Sequence, residues 1–155
     1  MDKQICDLFV YKQGSLYWKD FKSGVKKDRL AGTIKDGYIR ISVYSKLLYA
    51  HRIIFLMHHG YIPEYIDHIN RNRSDNRIEN LRECSSSQNS RNNSFNVGIT
   101  GFKGVSTAPK NRFRAYIFLN GKQKFLGIYD TAEQAKESRV KAANKFYGEF
   151  ANEWI

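Results

Sequence analysis

Asp67 and His68 stand side by side in YIDHIN. Hydrolysing a phosphodiester near neutral pH requires deprotonating a water, neutralising charge on the phosphate and stabilising the leaving oxygen. A histidine can take the proton, because its ordinary pKa lies close to the working pH. A hard divalent cation on oxygen ligands can meet the other two requirements. Successive side chains on a strand point to opposite faces, so Asp67 and His68 are expected to flank one scissile phosphate rather than share one ion. Downstream, Asn89 and Asn93 are four residues apart, which stacks them on one face of a helix. Their amide oxygens are neutral, hard donors suited to Mg²⁺ or Mn²⁺. Asn80, between the two groups, is placed to tie the loop to the strand of His68 through backbone hydrogen bonds.

These residues need a scaffold. Residues 1–50 alternate short apolar and polar runs broken by glycines, and Asp36-Gly37 marks a tight hairpin. AHRIIFLMHHG predicts a short buried helix closed by Gly60. The following polar run, 66–96, is rich in Asn, Ser and Arg but keeps apolar anchors at Ile66, Ile69, Ile78 and Leu81, which a free linker has no need of. Ser85-Ser86-Ser87 offers N-caps for a helix carrying Asn89 and Asn93.

The stretch Tyr49–Asn93, with YAHRIIF and then YIDHINRNRSDNRIENLRECSSSQNSRNN, closely resembles the HNH endonucleases of phages and mobile introns. The resemblance implies a ββα-metal motif: strand, long loop, strand, helix. It implies His68 as general base, Asp67 as first metal ligand, Asn80 as the brace of the loop, Asn89 as the last motif residue and Asn93 as a further ligand. Asn89 stands where the strict pattern has His, as in the intron-encoded homing branch, which points to Mg²⁺ or Mn²⁺ rather than Zn²⁺. Arg52, in the His51-Arg52 pair ahead of the motif, is a candidate phosphate contact or a packing residue.

From about Val97 the pattern resets into three strands, with Asn120-Gly121 turning the last two. Thr131 and Gln134 form a capping-box signature for a helix to Tyr147 with Ala132, Ala135, Ala142, Ala143 and Phe146 as its apolar stripe. In RFRAYIF, Phe113, Ala115 and Ile117 share one strand face and Arg112, Arg114 and Tyr116 the other. The first face suits the alanine stripe, and the second suits a DNA groove. FKGV, RFRAYI, KFLGIYDTAEQA and YGEFAN resemble the plant APETALA/ethylene-response-factor DNA-binding domain. That resemblance implies a DNA-docking module with Lys103, Arg114, Tyr116 and Phe125 as contacts. Ser106, Ala108 and Gln123 stand near positions where the plant domains carry base-reading arginines.

The expected fold class is therefore α+β: a ββα-metal nuclease domain over 1–94, then a three-stranded antiparallel sheet packed on one helix over 97–155. The 155 residues carry a formal charge of +11, which favours a polyanionic partner. Double-stranded DNA is the expected one. Two distant cysteines, outside any CxxC pair, argue against a zinc knuckle or disulfide framework. No stretch approaches the length of a membrane span, so a reducing cytoplasm is the expected location. Nothing announces a dimer seam, so a monomer that nicks one strand is expected. An RNA-directed nuclease, and a DNA-binding regulator with a vestigial nuclease motif, are the alternatives.

Overall fold

The computed structural model describes residues 3–19, 28–92 and 98–151, side chains of 3, 91 and 92 aside. The chain packs as two compact units, Met1–Ser86 and Ser87–Ile155.

The first unit opens on a 3-10 turn, Lys3–Leu8, which leads into a hairpin of β1 (Phe9–Lys12) and β2 (Ser15–Trp18). A second antiparallel sheet is ordered β3 (Thr33–Lys35), β4 (Tyr38–Val43), β5 (Lys46–Tyr49). Lys35 pairs with Tyr38 across Asp36-Gly37, whose φ values of 53° and 79° are those of the mirror-image turn that Asp-Gly favours. The next turn, Tyr44-Ser45, takes the same conformation with φ of 48° and 62° but carries no Gly or Asn to signal it. Strand pairing on both sides holds it there.

Helix α1 (Ala50–His59) follows directly and ends where Gly60 turns left-handed, at φ 77°, with its N–H on the Leu56 carbonyl. Ile53 and Ile54 are fully buried, and they join Phe9, Leu16, Ile41, Val43 and Phe55 in the main core. Strands β6 (Tyr65–His68) and β7 (Leu81–Cys84) pair antiparallel, setting Asp67 opposite Arg82 and His68 opposite Leu81. Ile66 and Leu81 anchor this pair in the same core, with Ile78 packed against it. Ile69 does not serve as an anchor: it is 45% exposed, because the chain has left the strand and entered the loop.

The second unit contains α2 (Ser86–Asn92, whose first residue closes the unit before) and the sheet β8 (Val105–Ala108), β9 (Arg112–Leu119), β10 (Lys122–Tyr129). The order in the sheet is β10-β9-β8. Helix α3 (Ala132–Tyr147) begins with both arms of a capping box between Thr131 and Gln134. Ile117 clusters with Ala142, Ala143 and Tyr147, and Val105 and Ala115 cluster with Ala135. Small residues bring the helix backbone close to the strands. The expected stripe is corrected at its end. Phe146 is 39% exposed, whereas Arg139 and Tyr147 are buried.

Candidate functional site

His68 ends β6 and is buried, with Asp67, Asn76, Asn80 and His51 also buried around or behind it. Its Nε2–H donates to Asn76 Oδ1 at 2.9 Å, so the lone pair of the neutral ring lies on Nδ1. The His51 ring meets His68 edge-on at 5.2 Å between centroids, and Tyr38 lies 6.1 Å from His68. Burial lowers the His68 pKa against the opposing effect of Asn76 and the carboxylates of Asp67 and Asp75. The ring is thereby kept neutral and able to accept a proton. His51 is pushed down to about 3, first by burial, then by His68 and Arg52.

The loop between β6 and β7 is tied by Asn80. Its Oδ1 accepts from the Asn70 backbone N–H at 3.0 Å, and its Nδ2 donates to Asn70 Oδ1 and to the Asp75 carbonyl. Its carbonyl accepts from Ile69 N–H at 2.9 Å. Both ends of the loop are held in this way, and Asn76 is delivered to His68. The β1–β2 hairpin braces the loop from outside the motif. Tyr11 Oη accepts from Ile78 N–H at 3.1 Å. Gly14, at φ 84°, lies so close that a Cβ there would stand 2.7 Å from the Arg77 nitrogen. Only glycine fits both that backbone conformation and that approach.

Asp67 is held by its cross-strand partner. Arg82 donates from Nε at 2.9 Å and from Nη2 at 2.8 Å to Oδ2. Asp67 offers a charged oxygen at a buried strand position, suited to a hard cation that completes its shell with water and phosphate oxygens. Among the described residues, no three acidic, histidine or cysteine side chains gather into a metal cage. A cation at Asp67 would share the carboxylate with Arg82. The Cys84 thiol is pushed up to about 11, chiefly by burial, so it is uncharged near neutral pH.

The structure thus brings Asp67, His68 and Asn80 together in the first unit. Asn89 is half-buried on α2, in the second unit. Asn93 lies outside the described residues. Arg52 donates to the carbonyls of Pro63 and Glu64 at 3.1 and 3.2 Å. This pins α1 to the segment entering β6, so a phosphate contact would have to use its remaining donors. Asn76 escaped the sequence reading: in NRNRSDNR nothing distinguishes the one buried side chain from its solvated neighbours. Arg82 was legible only through strand register.

On the second unit, Arg114, Tyr116, Phe118 and Phe125 share the outward face of β9 and β10, with Phe125 paired to Tyr116. Phe118 and Phe125 are 52% and 57% exposed, so the face is more aromatic than the alternation alone suggests. Arg112 pairs with Asp130 at 3.0 Å, both side chains well exposed. Lys103, which precedes Gly104, is half-buried.

Residues 48–91, the segment that holds Asp67, His68 and Asn80, match the model of the HNH endonuclease family. The chain is also 34% identical over 120 residues to an uncharacterized HNH endonuclease of Acanthamoeba polyphaga mimivirus. That alignment takes in 76% of this chain and 62% of the viral protein. Among the described residues, no helix is long and apolar enough to cross a membrane.

Proposed function

We propose that the protein is a metal-dependent DNA endonuclease of the homing type, with His68 as its general base. The observation that carries this reading is a buried His68, fixed through Nε2 by Asn76 and next in the strand to the carboxylate Asp67. His68 Nδ1 takes a proton from water as the water oxygen bonds to phosphorus. The bond from phosphorus to the 3′ oxygen breaks, and that oxygen takes a proton from solvent water, leaving a 5′-phosphate and a 3′-hydroxyl. Mg²⁺ or Mn²⁺, held by Asp67 with Asn89 and Asn93 as neutral oxygen donors, would supply charge neutralisation at the phosphate and leaving oxygen. Asn80 keeps the loop closed around the base. One Asp67–His68 pair per chain suits a monomer that nicks one strand of duplex DNA per encounter. A phage-encoded enzyme of this kind would work in the cytoplasm of its bacterial host.

The first test is plain. Supercoiled plasmid incubated with the protein and Mg²⁺ or Mn²⁺ is expected to be cut, and EDTA to abolish cutting. Intact plasmid at high protein concentration with both ions would reject the nuclease reading in favour of a DNA-binding regulator.

Residues 97–155 serve, in this proposal, as an APETALA/ethylene-response-factor-like docking module. Lys103, Arg112 and Arg114 face phosphates while Tyr116 and Phe125 pack on the duplex. Support comes from the exposed aromatic and basic face of β9 and β10. Replacing Lys103 and Arg114 by Gln is expected to reduce the slope of log affinity against log salt by about 2, roughly one per lost phosphate contact. An unchanged slope in a fluorescence-anisotropy titration would exclude this face.

A further inference from the structure

The β3–β4–β5 sheet has one face in the core and one in solvent. Ile41 and Val43 point inward and are buried. The register pairs Thr33 with Arg40 and Arg40 with Tyr49, and pairs Lys35 with Tyr38. Lys35, Tyr38, Arg40, Ser42 and Tyr49 therefore share the outward face, and no acidic residue of these strands stands among them. A solvated sheet face ordinarily mixes both signs of charge.

This face runs into the His68 site without a break. Tyr38 lies 5.4 Å from Tyr49, 5.6 Å from His51 and 6.1 Å from His68, ring centre to ring centre. Two guanidiniums lie over these rings. Arg73, from the loop after β6, is 5.0 Å above Tyr38, and Arg40 is 5.4 Å from Tyr49. The Arg73 stem crosses the β3–β4 turn, where Gly37 leaves it room at 3.7 Å from a would-be Cβ. The nearby carboxylate, Asp36, pairs with Arg40 at 2.7 Å but is 69% exposed, an ion pair weak enough for a phosphate to displace. Lys35 is exposed at the turn end of β3.

We infer that the outward face of β3–β4–β5, with Arg73, is a docking surface for duplex DNA that seats the backbone phosphates flanking the one presented to His68. The charge complementarity is that of Lys35, Arg40 and Arg73 to phosphate. Stacking by Tyr38 and Tyr49 orients the guanidiniums, reducing the rotamer freedom lost on binding. The inference rests on the reading of His68 as the base only for the direction in which the DNA runs.

The test uses the full chain in a His68→Ala background, so that binding is read without cleavage. Duplex affinity is measured from 50 to 200 mM salt for Lys35→Gln/Arg40→Gln/Arg73→Gln. The expected result is binding roughly thirty- to hundredfold weaker at the middle of that range, with a salt slope smaller by about 2 to 3. Lys35→Glu, at an exposed position, cannot act through the core, and it is expected to weaken binding about tenfold. Weaker binding by the triple variant with an unchanged slope would mean that these residues only hold the fold, and would overturn the inference. So would an unaltered affinity in Lys35→Glu. Both measurements are made in EDTA as well, so they stand whether or not His68→Ala abolishes cleavage, and a failure of the catalytic reading and a failure of this surface are separately visible.

Discussion

His68→Ala is expected to cut DNA roughly a hundred to ten thousand times more slowly, the range that removal of a positioned general base covers, with duplex affinity little changed. The separation of the two effects follows from burial. His68 is 5% exposed, so it offers little surface to the duplex and little binding energy is lost with it. The rate depends on it through proton transfer at Nδ1, and Nδ1 is the basic nitrogen because Asn76 holds the proton of Nε2 at 2.9 Å. Asn76 is itself 1% exposed, and its Nδ2 is buried without a hydrogen-bond partner among the described residues. An orphaned donor of that kind destabilises a fold by about 1–3 kcal/mol, which is intelligible if its oxygen is needed on the histidine. Single-turnover cleavage and anisotropy binding on one duplex measure the two quantities separately. A variant that cuts within a few-fold of the parent would remove His68 from the mechanism. One that loses binding and cleavage in equal proportion would make it a structural residue.

The site was legible in the sequence to the extent that it is local. Asp67 and His68 are adjacent, and Asn80 sits in IENL at a strand start, so type and spacing place them. The loop bonds of Asn80 require no more than a short polar side chain between two strands. What the sequence withheld is set by register and long-range packing. Arg82 meets Asp67 because β6 and β7 pair antiparallel. Gly14 and Tyr11 reach the loop of Asn76 from more than sixty residues away along the chain, as the separation of 67 between Tyr11 and Ile78 shows. The β3–β4–β5 strands announce themselves by alternation, but only the register shows that Lys35, Tyr38, Arg40 and Tyr49 face one way. The turn at Tyr44-Ser45 has no signature residue, so its hairpin is fixed by the strands it joins. In the second unit, the capping box and Asn120-Gly121 are short-range signals and the structure contains both. Phe146, expected on the apolar stripe, is instead exposed because α3 turns its alanines, rather than its largest apolar residue, against the strands.

His51 leads to the second large effect, on stability rather than rate. Its ring is 8% exposed and lies against His68, Tyr38 and Tyr49, with Arg52 as its neighbour on α1. Burial and the two flanking basic groups push its pKa down to about 3. In the unfolded chain the same group titrates near 6.5. Between those values the unfolded state binds a proton that the folded state refuses. The contribution of His51 is therefore complete above about pH 6.5 and is lost as pH falls toward 3. One proton changes stability by about 1.4 kcal/mol per pH unit, so the whole window is worth on the order of 5 kcal/mol. His68, also lowered, acts in the same direction. Asp75, paired with Arg77, is held below the usual carboxylate range, and its own contribution falls away only in more acidic solution. The useful interval is therefore pH 6.5 down to about 4.5, where the carboxylates of the unfolded chain are still largely ionised. Over it, urea unfolding of the parent protein is expected to lose about 2–3 kcal/mol through His51 alone. His51→Phe, which keeps a ring of similar size and cannot titrate, is expected to show a slope shallower by up to one proton. The ring C–H resonance of His51 in the folded parent should hold its position throughout that interval. A resonance that moves with a midpoint near 6.5, or parallel stability curves for parent and variant, would mean that the ring is open to water and that His51 does not hold the floor of the site.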